Sequence, residues 1–245
     1  MANAPLPIAG TWNLRDLGGY RADGGSIRPG AFYRSDALAR IGEPGRAQLA
    51  ELGIARVIDL RDDSERAFAP DDVDGVTELL AHPIFPSAGA HVARRLDVFS
   101  LTEIIYLEHA DTLIEALRLL GGGAGDLRPA GATLFHCTAG KDRTGAVAAL
   151  ALLAAGVDRD DVVDDYVASE ANLRGAWLEA HLELVRQRGL EITPEIRGLI
   201  GSTPARAIEN ALDAVETRFG SVRDYLRAHG MTDAELATLH AAFVA

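Results

Sequence analysis

Cysteine and lysine are nearly missing from this sequence of 245 residues, which holds one of each, Cys137 and Lys141. A single cysteine excludes an intrachain disulfide, so the fold must rest on its core. A reducing, cytoplasmic setting is the expectation, because a reactive thiol survives there. The first ten residues carry neither a basic stretch nor a continuous apolar one, so no secretory signal peptide is read, and export by another route stays open. Long apolar runs are also missing. The most apolar stretch, residues 146–155, stops at Gly156 and reads as a buried helix, which argues against integral membrane association. Positive charge is scarce too: the formal net charge is −12, which argues against non-specific binding to nucleic acid or an anionic membrane surface. An anionic ligand would have to be captured by a local cationic site. With 48% hydrophobic and 24% charged residues, the composition is that of an ordinary globular protein, read as a single domain over 1–245.

What is present alternates between two periodicities. Residues 31–34 read as a strand, 44–52 as a short helix closed by Gly53, and 54–60 as a second strand rich in Ile and Val. Residues 78–82, before Pro83, and 132–136 are the third and fourth strands. Between them, Leu101, Ile104, Ile105, Leu113, Leu117 and Leu120 recur at helical spacing. Strands alternating with helices predict an α/β fold, a central and mostly parallel sheet flanked by helices. Ligands of such sheets bind at the carboxyl ends of the strands, which is where Cys137 falls. From Arg143 onward only helix is read. Asp158 is an N-cap, Thr203-Pro204 opens another helix, and Thr232 with Glu235 forms a capping box. This C-terminal helical extension, about residues 170–220, is a candidate lid. Residues 87–95 and 121–131 read as long loops.

The two rare residues share one loop, His136-Cys137-Thr138-Ala139-Gly140-Lys141-Asp142-Arg143-Thr144-Gly145. A cysteine reacts as its thiolate, and a free thiol with a pKa of about 8.5 is mostly protonated at neutral pH. A helix N-terminus directly after the cysteine, with Lys141 and Arg143 beside it, favours the anion. Backbone N–H groups of a strand-to-helix turn form an anion nest, and an arginine fork matches phosphate oxygens bidentately. Thr138, Ala139, Gly140 and Lys141 would supply that nest. Gly140 permits close backbone approach, and Gly145 lets the helix pack tightly on the sheet. Thr144 places a hydroxyl beside the thiolate, where it can stabilise the anion or assist departure of sulfur.

Cys-x5-Arg between a strand and a helix, with His before it and Thr-Gly after it, resembles the signature of cysteine-dependent protein tyrosine phosphatases. The Gly-Lys-Asp-Arg-Thr variant and the segment Asn13-Leu14-Arg15-Asp16-Leu17-Gly18-Gly19-Tyr20 are similar to a bacterial tyrosine and dual-specificity phosphatase family, the one that includes mycobacterial tyrosine phosphatase B. Phe32-Tyr33-Arg34-Ser35 and Asp59-Leu60-Arg61 extend the resemblance over most of the chain. It implies that Cys137 attacks phosphorus to form a phosphocysteine, that Arg143 binds the phosphate and its transition state, and that water releases the product without metal or cofactor. The general acid of many tyrosine phosphatases lies in a Trp-Pro-Asp loop, but neither Trp12 nor Trp177 precedes Pro-Asp here. The resemblance assigns that role to Asp142; Asp59, near a strand's carboxyl end with Asp62 behind it, is the second candidate, and Asp59 and Arg61 are read as substrate-binding. Lys141 resembles the loop lysine of dual-specificity and phosphoinositide phosphatases. The implied partners are therefore a phosphorylated protein (phosphotyrosine, with phosphoserine and phosphothreonine) or a phosphoinositide.

Other readings of the same residues compete. A lone cysteine is more often a small buried hydrophobe, but the full motif overturns that. Gly140-Lys141 invites a nucleotide-binding loop, which fails because Phe135 stands at the first glycine position and Asp142 where Ser or Thr belongs. A sulfurtransferase also carries cysteine on an anion-binding turn, yet His-Cys-x5-Arg-Thr fits it poorly. A catalytically weak phosphate-binding adaptor is the rival from another class, and the presence of both Cys137 and Arg143 argues against it. His136 reads as a shaper of the loop. The acidic run from Asp158 to Asp165 reads as helix capping and a solvated face. Arg15 and Asp16 read equally as a structural salt bridge or as substrate contacts.

Overall fold

Five strands form the central sheet in the spatial order β1 (Arg15–Asp16), β4 (Phe32–Ser35), β7 (Ala132–His136), β5 (Ile54–Asp59) and β6 (Glu78–Ala81). The computed structural model describes residues 3–76, 78–85, 97–122 and 131–245. β4, β7, β5 and β6 run parallel, and β1 pairs antiparallel with β4 at one edge. β2 (Arg21–Ala22) and β3 (Gly25–Ser26) make a separate hairpin. All five residues of β7 are buried, as a central strand covered on both faces requires. Successive residues alternate between two cores. Phe32, Ile58 and Phe135 face one, and Tyr33, Val57 and Leu134 the other.

The helix Asp142–Ala154 fills the first core. Its run of Ala, Val and Leu is buried all round from Thr144 to Leu152, which makes it the rigid base on which the preceding loop stands. The apolar residues at helical spacing over 101–120 fall on two helices, Val98–Glu108 and Ala110–Gly121. His109 leaves helical geometry at φ −118° and ψ 27° and sets its ring edge-on to Phe85 at 4.7 Å. The expected loop at 87–95, and the interior of the one at 121–131, lie outside the described residues.

The helical extension divides in two. Helix Ala205–Phe219 buries Ile208, Leu212 and Val215 in the main core and so belongs to the body of the domain. Helices Ala176–Gln187 and Pro194–Gly201 instead stand over the carboxyl end of β7, with Trp177 packed beside Ala139 and Leu173. Among the described residues no helix is long and apolar enough to cross a membrane.

Candidate active site

Cys137 leaves the end of β7 at the floor of a cavity of about 660 Å³. The walls are largely apolar: Trp12, Phe68, Trp177, Leu184, Val185 and Ile200. Gly140 adopts φ +67°, and a Cβ there would stand 2.3 Å from the Ser35 carbonyl oxygen, so only glycine fits the bend. The buried thiol is pushed up by loss of solvent. The Arg143 charge, with Thr144 beside it, outweighs that, and the thiol lies below its ordinary value. The nucleophile expected from the motif therefore has its thiolate favoured by groups of the same loop.

Arg143 is fixed from a helix that the sequence reading missed. Asp62 caps Asp63–Phe68 through a capping box with Glu65. The Glu65 carboxylate also accepts from Arg143 Nη1 at 2.6 Å and Nη2 at 2.8 Å, and from the Thr138 hydroxyl. Burial alone would raise Glu65, but Arg143, Thr138 and the Asp62 N–H hold it down at about 2. The signal was present as Asp62-x-x-Glu65, the spacing of a capping box before a short helix.

The candidate acids are placed very differently. Asp142 lines the cavity, with Oδ1 buried and unpartnered among the described residues and Oδ2 3.6 Å from Lys141 Nζ. Asp59 does not line it. Its Oδ1 accepts from Arg61 Nε at 2.9 Å and its Oδ2 from Arg61 Nη2 at 2.8 Å. Arg61 Nη2 also lies 2.8 Å from Asp71, and Asp71 lies 3.1 Å from His136 Nε2. Asp59, Asp71 and His136 could by their chemistry surround a metal, but the cation among them is the Arg61 guanidinium. Burial lowers His136, yet the Asp71 charge raises it above its ordinary value, while its Nδ1 lies 3.1 Å from the Cys137 carbonyl. His136 thus shapes the loop from behind.

Lys141 is not free in the cavity. Its ammonium donates to the carbonyls of Leu199 at 2.7 Å and Ser202 at 2.9 Å, at the C-terminal end of helix Pro194–Gly201. A cation there meets the negative end of the helix dipole.

Asp36 carries no sequence signal. It lines the cavity and accepts the backbone N–H groups of Trp12 and Asn13, and burial raises it to about 6. Arg15 does not pair with Asp16. It is buried against Asp165, Nε to Oδ1 at 2.9 Å, whereas Asp16 accepts the N–H groups of Gly18 and Gly30. Asp165 also takes Arg34, so the end of the acidic run is a buried ion-pair centre and not a solvated face, while Asp158 is the expected cap.

A family model described as "Tyrosine phosphatase family" matches residues 6–245. The triple specificity protein phosphatase PtpB of Mycobacterium tuberculosis is 31% identical over 282 residues, covering 96% of each chain. A Cupriavidus necator protein is 33% identical over 229 residues, 88% of this chain and 80% of the relative. A tyrosine-protein phosphatase of Nostoc commune is 30% identical over 223 residues, 87% of this chain and 74% of its own.

Proposed function

The chain belongs to the tyrosine phosphatase family and is a phosphatase, and from that premise we propose that it hydrolyses phosphotyrosine through a phosphocysteine on Cys137. The observation that carries the reading is the Cys137 thiol, held low by Arg143 and lining an apolar-walled cavity of about 660 Å³. The thiolate attacks phosphorus while the bond to the leaving oxygen breaks, and Asp142 gives that oxygen its proton. Water then attacks the phosphocysteine, its proton passing to the Asp142 carboxylate, and inorganic phosphate leaves with the thiolate restored. Arg143 and the N–H groups of residues 138–143 meet the charge on the equatorial oxygens. Thr144 supports the sulfur as it departs. Asp59 and Arg61 hold each other, and in this reading they buttress the loop and do not act as the acid.

Helices Ala176–Gln187 and Pro194–Gly201 form the cover of the site. The name of the mycobacterial relative records triple specificity, which supports extending the substrates here to phosphoserine, phosphothreonine and phosphoinositides. Turnover of p-nitrophenyl phosphate and of a phosphotyrosine peptide, lost in Cys137→Ser while peptide binding persists, is the expected result. Binding without turnover in the wild type would instead make the protein a phosphate-reading adaptor. Asp142→Ala should slow substrates with poor leaving groups far more than p-nitrophenyl phosphate. Equal slowing of both would remove Asp142 as the acid.

A further inference from the structure

We propose that Asn13 and Arg34 are positioning residues that hold the carbonyls of the phosphate loop outward and so aim its N–H groups into the cavity; this rests on the phosphatase reading of that loop. In a planar trans peptide the C=O and the next residue's N–H point in opposite directions. To turn a row of N–H groups toward an anion, the fold must therefore find donors for the carbonyls on the far side, since buried carbonyls are rarely left unpaired.

Each carbonyl from Cys137 to Lys141 has such a partner. That of Cys137 lies 3.1 Å from His136 Nδ1, and that of Thr138 accepts from the Ala37 N–H at 3.1 Å. Asn13 Nδ2 donates to Ala139 at 3.0 Å and to Gly140 at 3.1 Å. Arg34 Nη2 donates to Gly140 at 2.7 Å, and the Lys141 carbonyl takes the Gly145 N–H at 2.7 Å with Arg34 Nη2 a longer second donor at 3.4 Å. The N–H groups of Thr138, Ala139, Gly140, Lys141, Asp142 and Arg143 donate to no backbone or side-chain acceptor among the described residues.

Arg34 adds charge to direction. It shares Asp165 with Arg15, all three side chains are buried, and two guanidiniums against one carboxylate leave one positive charge behind the loop. Arg34 Nε has no hydrogen-bond partner among the described residues. A cation on the Gly140 carbonyl polarises that peptide and strengthens the Lys141 N–H as a donor, and through the Lys141 carbonyl it does the same for Asp142. Asn13 is fixed in turn: its Oδ1 accepts from Arg15 Nη1 and from Asn172 Nδ2 at 3.0 Å. Asn172 and Asp165 lie on helix Arg159–Leu173, so that helix orients the loop without touching the cavity.

The test measures binding of inorganic phosphate by calorimetry, with turnover of p-nitrophenyl phosphate and melting temperature alongside, for wild type, Arg34→Met, Arg34→Lys and Asn13→Ala. Arg34→Met leaves the Arg15–Asp165 pair neutral, and Asn13→Ala removes no charge. The expected result is phosphate affinity about 10-fold weaker in Arg34→Met, with kcat falling more than KM rises. Arg34→Lys should recover most of the affinity, and Asn13→Ala should lose about 3-fold. In the wild type, titrated phosphate should shift the amide protons of Gly140, Lys141 and Asp142 downfield. Folded Arg34→Met and Asn13→Ala proteins that bind phosphate as tightly as the wild type would overturn the inference. So would unmoved amides in the wild type, whatever the variants' stability. A wild type that neither binds phosphate nor turns over the ester would overturn the phosphatase reading itself, a separate outcome.

Discussion

Glu65 holds the Arg143 guanidinium with both carboxylate oxygens, at 2.6 and 2.8 Å, from a six-residue helix 78 positions earlier in the chain. A bidentate pair fixes the plane of the guanidinium as well as its place, and the remaining N–H groups stay available to an oxyanion. Glu65→Gln keeps the shape and loses the charge. We expect kcat/KM for p-nitrophenyl phosphate to fall about 10- to 100-fold, with kcat carrying the larger share. The variant should also change acid stability. With Glu65 depressed from 4.5 to about 2, its contribution is present above pH 4.5 and is lost as pH falls toward 2. Acid unfolding of Glu65→Gln should therefore be shallower across that window. Unchanged kinetics in Glu65→Gln would show that Arg143 needs no such partner.

Asp36 works in the opposite sense. Burial raises its carboxyl from 3.8 to about 6, so the folded protein binds its proton more tightly than the unfolded chain does. Stability from this group is present below pH 3.8 and is lost as pH rises through about 6, a loss on the order of 3 kcal/mol by pH 7. An amide oxygen can accept the same N–H groups of Trp12 and Asn13 without carrying charge. Asp36→Asn should hence be at least as stable as the wild type at pH 7 and lose the decline between pH 4 and 6. Chemical denaturation at several pH values decides this, and a destabilised Asp36→Asn at pH 7 would mean that the ionised carboxylate is wanted there.

Legibility in the sequence tracked the range of the interactions. The strand over residues 132–136 and the loop after it were readable because a strand, an anion nest and a helix start are local patterns. Glu65 was half-readable: the capping box is local, but its grip on Arg143 joins residues 78 positions apart. Arg15 and Arg34 stand out in the sequence, but their shared partner Asp165 does not, since it closes an acidic run that looks like surface and lies 131 to 150 residues away. Buried charge escapes periodicity for that reason. The loop around Lys141 suggests a substrate contact, and only the packing of the following helices shows what its ammonium meets.

Gly140 tests how tightly the loop is pressed on the sheet. Its φ of +67° is costly for any other residue, and a Cβ would meet the Ser35 backbone at 2.3 Å, where no side chain can yield. Gly140→Ala should destabilise by a few kcal/mol and lower the melting temperature by about 10 °C. Phosphate binding should weaken in whatever fraction folds. A Gly140→Ala protein with wild-type melting and affinity would mean that the loop can relax away from β4.

Lys141 decides between two roles for the lone lysine. If its work is to cap the helix Pro194–Gly201, then Lys141→Met keeps the buried stem and removes the bonds to Leu199 and Ser202. Losing a charged donor leaves two carbonyls at the helix end without a partner, at a cost of about 1 to 3 kcal/mol felt locally. Amide exchange across residues 194–202 should quicken several-fold in Lys141→Met, while kcat for p-nitrophenyl phosphate stays within about 3-fold of the wild type. A lysine that instead serves the substrate would leave exchange unchanged and lower turnover selectively on molecules carrying a second phosphate. The geometry favours the first outcome: an ammonium satisfied by two carbonyls and facing Asp142 at 3.6 Å must break those contacts before it can reach a second phosphate.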